Sequence, residues 1–363
     1  MQHVTVFGSK DNFAGWPANH GHWQWGDEFL VGFMVGAHEP ENTMHAIRPP
    51  FNKLLARSMD GGETWNVEEP NVDFKCMDPQ QAPPFDLLEP NTIIRACGNY
   101  DTGGEHCHRE GGFYLSSNRG GIWAGPYLFS PLVIDPSQHN TSRTCVLGNR
   151  VFVSFAKRDH WGTDYIVELK HGPDGFQALS TVVEDEHRAV MPAVALIPDN
   201  ENLVLVCRRK GHSDNWIDNN WIDTFWYDGP DREWRQVSKN PLDTGFANGN
   251  PPALIDYGGS RLCCAYGNRT NRSINVVFSD NGGIDWTSPR ILAASSNRDL
   301  GYPRLFKRDD GKLVCVYYIA SSPRDPARID ACIFDPLHFD GLHTVPSREE
   351  CDGQMARSRV QHA

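Results

Sequence analysis

The chain has 363 residues, with 33 Gly, 25 Pro and 11 Trp, and a formal net charge of −12. Gly or Pro interrupts most windows of helix length, which excludes a helical bundle, and the supply of aromatic and β-branched residues excludes disorder. The negative balance argues against nucleic acid or an anionic membrane surface as a partner, and no run of 18 apolar residues offers a transmembrane helix.

At the N-terminus, Met1 to Phe7 lacks a basic segment followed by an apolar one, so no secretory signal is visible and a cytoplasmic location is expected. Val4 to Phe7 suits a strand that closes a later sheet. Next comes Asn19-His20-Gly21-His22-Trp23, where alternation sends either His20 and His22 or Asn19, Gly21 and Trp23 to one side. From Ser58 the chain reads S-M-D-G-G-E-T-W, ending at Trp65. The pattern returns at Ser116 to Trp123 and at Ser279 to Trp286, with weaker echoes ending at Phe176, Trp234 and Phe339. These terminal aromatics are 52 to 58 residues apart, so one repeat takes about 55 residues and the chain holds six.

Each repeat opens alike, with two short strands around a Gly, Asn or Asp turn. Pro252 to Tyr266 and Pro303 to Tyr317 show it best, and such turns fall near Asp27, Asn91, Asn149, Asn200, Gly259 and Gly311. Two hairpins per repeat make a four-stranded blade. The predicted fold is therefore all-β, a six-bladed β-propeller of four-stranded blades over residues 1–343, with a polar tail at 344–363. Within the repeated box, Asp or Asn bonds turn N–H groups, Gly takes a positive φ, and the aromatic packs between blades. Cys97, Cys207, Cys264 and Cys315 sit in apolar strand-like runs and read as small buried hydrophobes. The ten Cys are too irregularly spaced for a disulfide framework, which points to a reducing compartment.

The boxes resemble the Asp-boxes of the sialidase superfamily, and the resemblance covers nearly the whole chain. It implies a site on the face opposite the boxes, built by second-to-third-strand loops and by the links between blades. Those loops are polar. The first, Gly36 to Arg48, carries His38, Glu39, Glu41, His45 and Arg48. The second, Cys97 to Glu110, carries His106 and His108; later ones carry Arg158, Asp159 and His160, then Arg208, Arg209 and His212, then Asn268 and Arg269. Arg makes up most of the cations, and its planar fork suits a carboxylate.

The resemblance further implies a Tyr nucleophile in Gly301-Tyr302-Pro303-Arg304-Leu305, before the Asp310-Gly311-Lys312 turn, and an Arg at Arg208 or Arg209. Two expected features are missing. Gly15-Trp16-Pro17 stands where the family's first carboxylate-binding Arg belongs, and Val190 to Ala195 holds no acid where the partner Glu of the Tyr belongs. Arg48, Arg269 and Arg304 are candidates to rebuild the carboxylate pocket. The catalytic candidates are thus Tyr302, Glu39, Glu41 and His45. The substrate-binding candidates are Arg48, Arg208, Arg209, Asn248, Asn250, Arg269, Arg304, His20, His106 and His108. No cofactor is expected, and the His-Cys-His segment lacks the spacing of a zinc site.

Three functions fit. The first is an exo-acting glycoside hydrolase on a terminal acidic sugar, sialic or uronic. The second is a lyase using Tyr and His, with Arg neutralising a uronate. The third is a non-catalytic glycan-binding propeller. All three take a glycan or glycoconjugate as partner.

Overall fold

The computed structural model describes residues 1–42, 44–75, 79–97, 112–129, 138–157, 164–184, 187, 189–197, 203–210, 220–228, 233–245 and 249–340. Six antiparallel sheets form a ring, a six-bladed β-propeller. Blade 1 has an interrupted inner strand. β2 (Asn12–Gly15) and β3 (His22–Trp25) both pair with β4 (Glu28–His38), followed by β5 (Ile47–Ser58) and β6 (Asn66–Glu68). Between β2 and β3, Pro17–Asn19 forms one 3-10 turn. Blade 2 shows three described strands, β7 (Ile93–Cys97), β8 (Gly112–Ser116) and β9 (Ala124–Leu128). Blade 3 is β10 (Gln138–Leu147), β11 (Arg150–Lys157), β12 (Asp164–Gly172) and β13 (Gly175–Glu184). Blade 4 contains β14 (Val190–Leu196), β15 (Leu203–Lys210), β16 (Asn220–Asp228) and β17 (Glu233–Gln236), with β18 (Leu242–Asp243) also on β16. Blade 5 is β19 (Ala253–Gly258), β20 (Arg261–Asn268), β21 (Ser273–Ser279) and β22 (Arg290–Ala294).

Blade 6 closes the ring. It contains β23 (Gly301–Lys307), β24 (Leu313–Ile319) and β25 (Arg328–Phe334), and its fourth strand is the N-terminal β1 (Gln2–Phe7). Gln2 lies opposite Ile333 and Thr5 opposite Asp330, so the two ends of the ring are joined by backbone pairing. A closed ring leaves only short edges. The predicted polar tail lies outside the described residues.

Inner strands are buried on both faces, because each blade is packed between two others. β24 and β15 are buried at every residue; β24 and the first five residues of β15 read in the sequence as continuous apolar runs rather than alternating ones. That is why Cys97, Cys207, Cys264 and Cys315 are buried and form no disulfide among the described residues.

The three boxes share one local geometry. The buried hydroxyls of Ser58, Ser116 and Ser279 each accept from the backbone N–H four residues on, at Gly62, Gly120 and Gly283, over 2.8 to 2.9 Å. Each donates to the carboxylate or amide oxygen two residues on, at Asp60, Asn118 and Asn281. Gly62 adopts φ 89°, which a side chain would disfavour. The aromatic that follows packs on the preceding blade. Trp123 meets Trp23 of blade 1 at 5.4 Å, the Trp286 indole N–H donates to Thr224 Oγ1 of blade 4 over 3.4 Å, and Trp65 lies 6.5 Å from Phe306 of blade 6. Ser279→Ala strands the Gly283 N–H in a buried turn, at an expected cost of about 1–2 kcal/mol, read as a lower urea midpoint with unchanged m-value.

Candidate functional site

Four blades meet at the head of β23. The strand register slips between Gly301 and Arg304, and inside that slip Tyr302 takes φ 51°. A bulky residue in the left-handed region is strained, and it is held here by a specific bond. The Tyr302 N–H donates to Asn250 Oδ1 over 3.0 Å, and Asn250 is fully buried. The same device recurs in blade 4, where Met191 has φ 58° in a register slip and its N–H donates to Ser154 Oγ over 3.0 Å. Trp16 in blade 1 shares the positive φ, at 57°. All three residues precede a proline, at Pro17, Pro192 and Pro303.

The Tyr302 phenol accepts from Arg208 Nη1 over 3.4 Å, and the Arg269 guanidinium lies 6.0 Å from the centre of its ring. Tyr318 stands edge-on to Tyr302 at 5.9 Å. Its hydroxyl accepts from Arg269 Nη2 over 3.2 Å and donates to Asp299 Oδ1 over 2.6 Å. Asp299 also accepts the backbone N–H of His45 over 2.6 Å, and its Oδ1 lies 4.0 Å from His45 Nδ1. Trp16 closes this side, 5.2 Å from the His45 ring and 6.0 Å from Tyr318. Burial works against the Arg269 charge, but Tyr318, Tyr302 and Asp299 outweigh it and raise its pKa. Burial pushes the Tyr318 phenol up as well, with Asp299 adding to it. Burial lowers the pKa of His45, while the Asp299 charge opposes that shift.

Of the sequence-predicted residues, the structure brings together Tyr302, Arg208, Arg269 and His45. Arg208 and Arg209 are neighbours on β15 and point to opposite faces. Arg209 is turned to Asp223, with Nε 3.7 Å from Oδ2. Asn250 is a scaffold for the Tyr302 backbone, with its Oδ1 already used. Glu39 is half-buried and accepts from Asn42 Nδ2 over 2.8 Å, while Glu41 and Arg48 are exposed. Among the described residues, none of Glu39, Glu41 and Arg48 shares a hydrogen bond or ion pair with the Tyr302 group. Arg304 turns away to the Ala18 carbonyl, and His20 Nδ1 lies 2.6 Å from Arg95 Nη2. Asn248, His106 and His108 lie outside the described residues, as do Arg158, Asp159, His160, Asn200 and His212. Among the described residues no group of three or more His, Cys, Asp or Glu is placed to hold a metal ion.

Sequence reasoning missed Asp299, Tyr318, Trp16 and Arg95. The recurring X-Pro step at the head of the inner strand was a usable signal for Trp16. Asp299 carries none, since it lies in an ordinary polar link before Gly301.

His20 is fully buried beside Arg95, Lys53 and Arg304, and burial first, then those three charges, holds its pKa well below 6.5. It is neutral when folded and takes a proton when unfolded in acid. Its contribution is present above the unfolded pKa and is lost as pH falls below about 6.5, with a slope approaching about 1.4 kcal/mol per pH unit. Urea midpoints measured down to about pH 5 are expected to fall more steeply for the natural protein than for His20→Gln.

No protein-family model matches the sequence, and no curated protein matches it. Solved structures do match in fold. A protein of unknown function from Dyadobacter fermentans superposes with TM-score 0.66 at 18% identity, covering 91% of this chain and 97% of that one. The Hadza microbial sialidase Hz136 gives 0.60 at 15% identity, covering 90% and 66%. The Trypanosoma rangeli sialidase in complex with difluorosialic acid gives 0.56 at 13% identity, covering 94% and 56%. The chain therefore has the propeller fold that sialidases use, and it spans about two thirds of one sialidase and just over half of the other.

Proposed function

We propose that the protein is a carbohydrate-active enzyme, a glycoside hydrolase that removes a terminal acidic sugar at the Tyr302 site. One observation carries the proposal: a buried phenol has one guanidinium at its oxygen and a second, itself fully buried, over its ring. Two Arg forks suit a sugar carboxylate, and a phenol beside the anomeric carbon attacks it or stabilises its developing positive charge. His45 is the proton carrier for the leaving oxygen, with Asp299 setting the backbone that presents it. Trp16 offers an apolar wall to a sugar face. The fold is shared with sialidases, but at these identities their substrates do not transfer by likeness alone.

A second reading is favoured by a specific observation. The partner of the Tyr302 phenol is a guanidinium, which cannot take its proton, and Met191 is buried in the same cluster in the segment where an acid would assist. A lyase needs no such acid. Tyr302 and His45 would then move the protons of an elimination while Arg208 and Arg269 neutralise a uronate.

A screen of aryl glycosides of acidic and neutral sugars tests the first reading, and ultraviolet detection of an unsaturated product on uronate polymers tests the second. Release of aryl alcohol from an acidic glycoside is the expected result. Inactivity in both assays overturns both.

A further inference from the structure

One carboxylate oxygen joins His45 to the cationic side of the site. Asp299 Oδ1 accepts the Tyr318 hydroxyl over 2.6 Å, and it lies 3.8 Å from Arg269 Nη2 and 4.0 Å from His45 Nδ1. The second oxygen accepts the His45 backbone N–H over 2.6 Å. Asp299 is held from behind, since its own N–H donates to Asn297 Oδ1 over 2.9 Å and Asn297 Nδ2 donates to the Ser322 carbonyl. Its side chain is buried, so little water screens it from His45 and Arg269.

His45 is the informative member. Its side chain is 42% exposed, yet Nδ1 is enclosed and makes no hydrogen bond among the described residues. The ring turns Nδ1 towards Asp299 and leaves its Nε2 edge to a ligand. Burial is the largest influence on its charge and disfavours it. Asp299, on the link before β23, favours the imidazolium, while Arg269 after β20 and Arg208 on β15 oppose it. The titratable neighbours on its own loop are engaged elsewhere, Glu39 with Asn42 and His38 under the charge of Asp325. The balance leaves His45 neutral at neutral pH.

We propose that His45 is a specificity residue, which takes up a proton from solvent when a sugar carboxylate settles on Arg208 and Arg269. The proposal rests on the reading of those two residues as the carboxylate site. A bound carboxylate cancels the two charges that oppose the imidazolium, and Asp299 is then the unopposed charge beside Nδ1. Nδ1–H faces Asp299, and Nε2–H is presented to the leaving oxygen. A neutral sugar leaves the two guanidinium charges in force and meets an imidazole with no proton to spare. Acidic sugars are thus selected at the proton-transfer step as well as in binding.

The test is calorimetry of the full chain with D-glucuronate and with N-acetylneuraminate near pH 6.5, in buffers of different ionisation enthalpy at one ionic strength. Uptake of about 0.3–1 proton per bound carboxylate is expected, and none with the methyl esters. Linkage requires the converse. The carboxylate, ionised throughout, is expected to bind about fivefold or more tightly at about pH 5.5 than at about pH 7.5. His45→Asn, whose side chain tolerates the φ of 53°, is expected to bind the carboxylate without either effect. Carboxylate binding without proton uptake, equal uptake with the methyl esters, or unchanged uptake in His45→Asn would overturn the proposal and leave Arg208 and Arg269 as the carboxylate site. Failure of both carboxylates to bind would overturn the proposal and that site together. Should His45→Asn fail to fold, the His45 imidazole followed by NMR in the natural protein decides it: its titration midpoint must rise when the carboxylate is added.

Discussion

Gly301→Ala is expected to destabilise the protein by at least about 3 kcal/mol. Gly301 has φ 120°, a region that L side chains avoid, and an added Cβ would fall 1.9 Å from Asn250 Oδ1. Asn250 has little room to retreat, since the space on its other side is bounded by Gly267, whose own Cβ would meet it at 2.8 Å. Pushing Asn250 aside also removes the acceptor of the Tyr302 N–H, and with it the bond that holds Tyr302 at φ 51°. Asn250→Ala makes room but leaves that N–H unpaired in a buried site, at an expected cost of about 1–3 kcal/mol. The two changes act on one contact. The double variant is therefore expected to lose clearly less than the sum of the singles, which denaturant midpoints of all four proteins measure. Strict additivity would mean that the Gly301–Asn250 contact is not what fixes the head of β23.

What the sequence discloses follows from how local each feature is. The boxes are legible because their bonds run two to four residues along the chain, from Ser58 to Asp60 and Gly62, so the pattern is written in consecutive letters. Three copies and three weaker echoes, about 55 residues apart, set the blade count, and Val4 to Phe7 is recognisable as the closing strand because blade 6 otherwise lacks a fourth. The site is written differently. Asp299 and His45 are 254 residues apart, and Arg208 and Tyr302 are 94 apart. Nothing local ties them. Arg208 and Arg209 were equal candidates because a one-residue change of register exchanges the faces of a strand, and only the pairing of β15 with β16 decides between them. In the first loop the carboxylates of Glu39 and Glu41 drew notice by chemistry. Yet the backbone turn at His45, with φ 53°, is what delivers a side chain to Tyr302 and its neighbours. Arg304 was expected at a sugar carboxylate, and the register slip at Tyr302 carries it instead to the Ala18 carbonyl.

Tyr302→Phe is expected to lower kcat by about 10²–10⁴-fold while leaving the fold intact. The ring remains in its edge-on contact with Tyr318, and only the phenolic oxygen is removed, whose side-chain partner among the described residues is Arg208 at a long 3.4 Å. The melting temperature should therefore shift little, and on the proposed reading, in which Arg208 and Arg269 take the carboxylate, KM for an acidic glycoside should shift little as well. Arg269→Met separates the two roles. It removes a buried charge that Tyr318 and Asp299 are arranged around, and it should raise KM for an acidic sugar far more than for its neutral counterpart. Tyr318→Phe, which leaves Asp299 without its 2.6 Å bond, should act between these extremes by loosening the backbone of His45. The pattern distinguishes a catalyst from a glycan-binding propeller. A binder has no turnover to lose, so Tyr302→Phe would change affinity alone, measured by calorimetry with the same glycan. A hydrolase and a lyase both lose turnover in Tyr302→Phe, and they part at the product, since only elimination leaves a double bond that absorbs in the ultraviolet. Retained turnover in a folded Tyr302→Phe would remove the phenol from the chemistry and leave the two Arg as the functional core of the site.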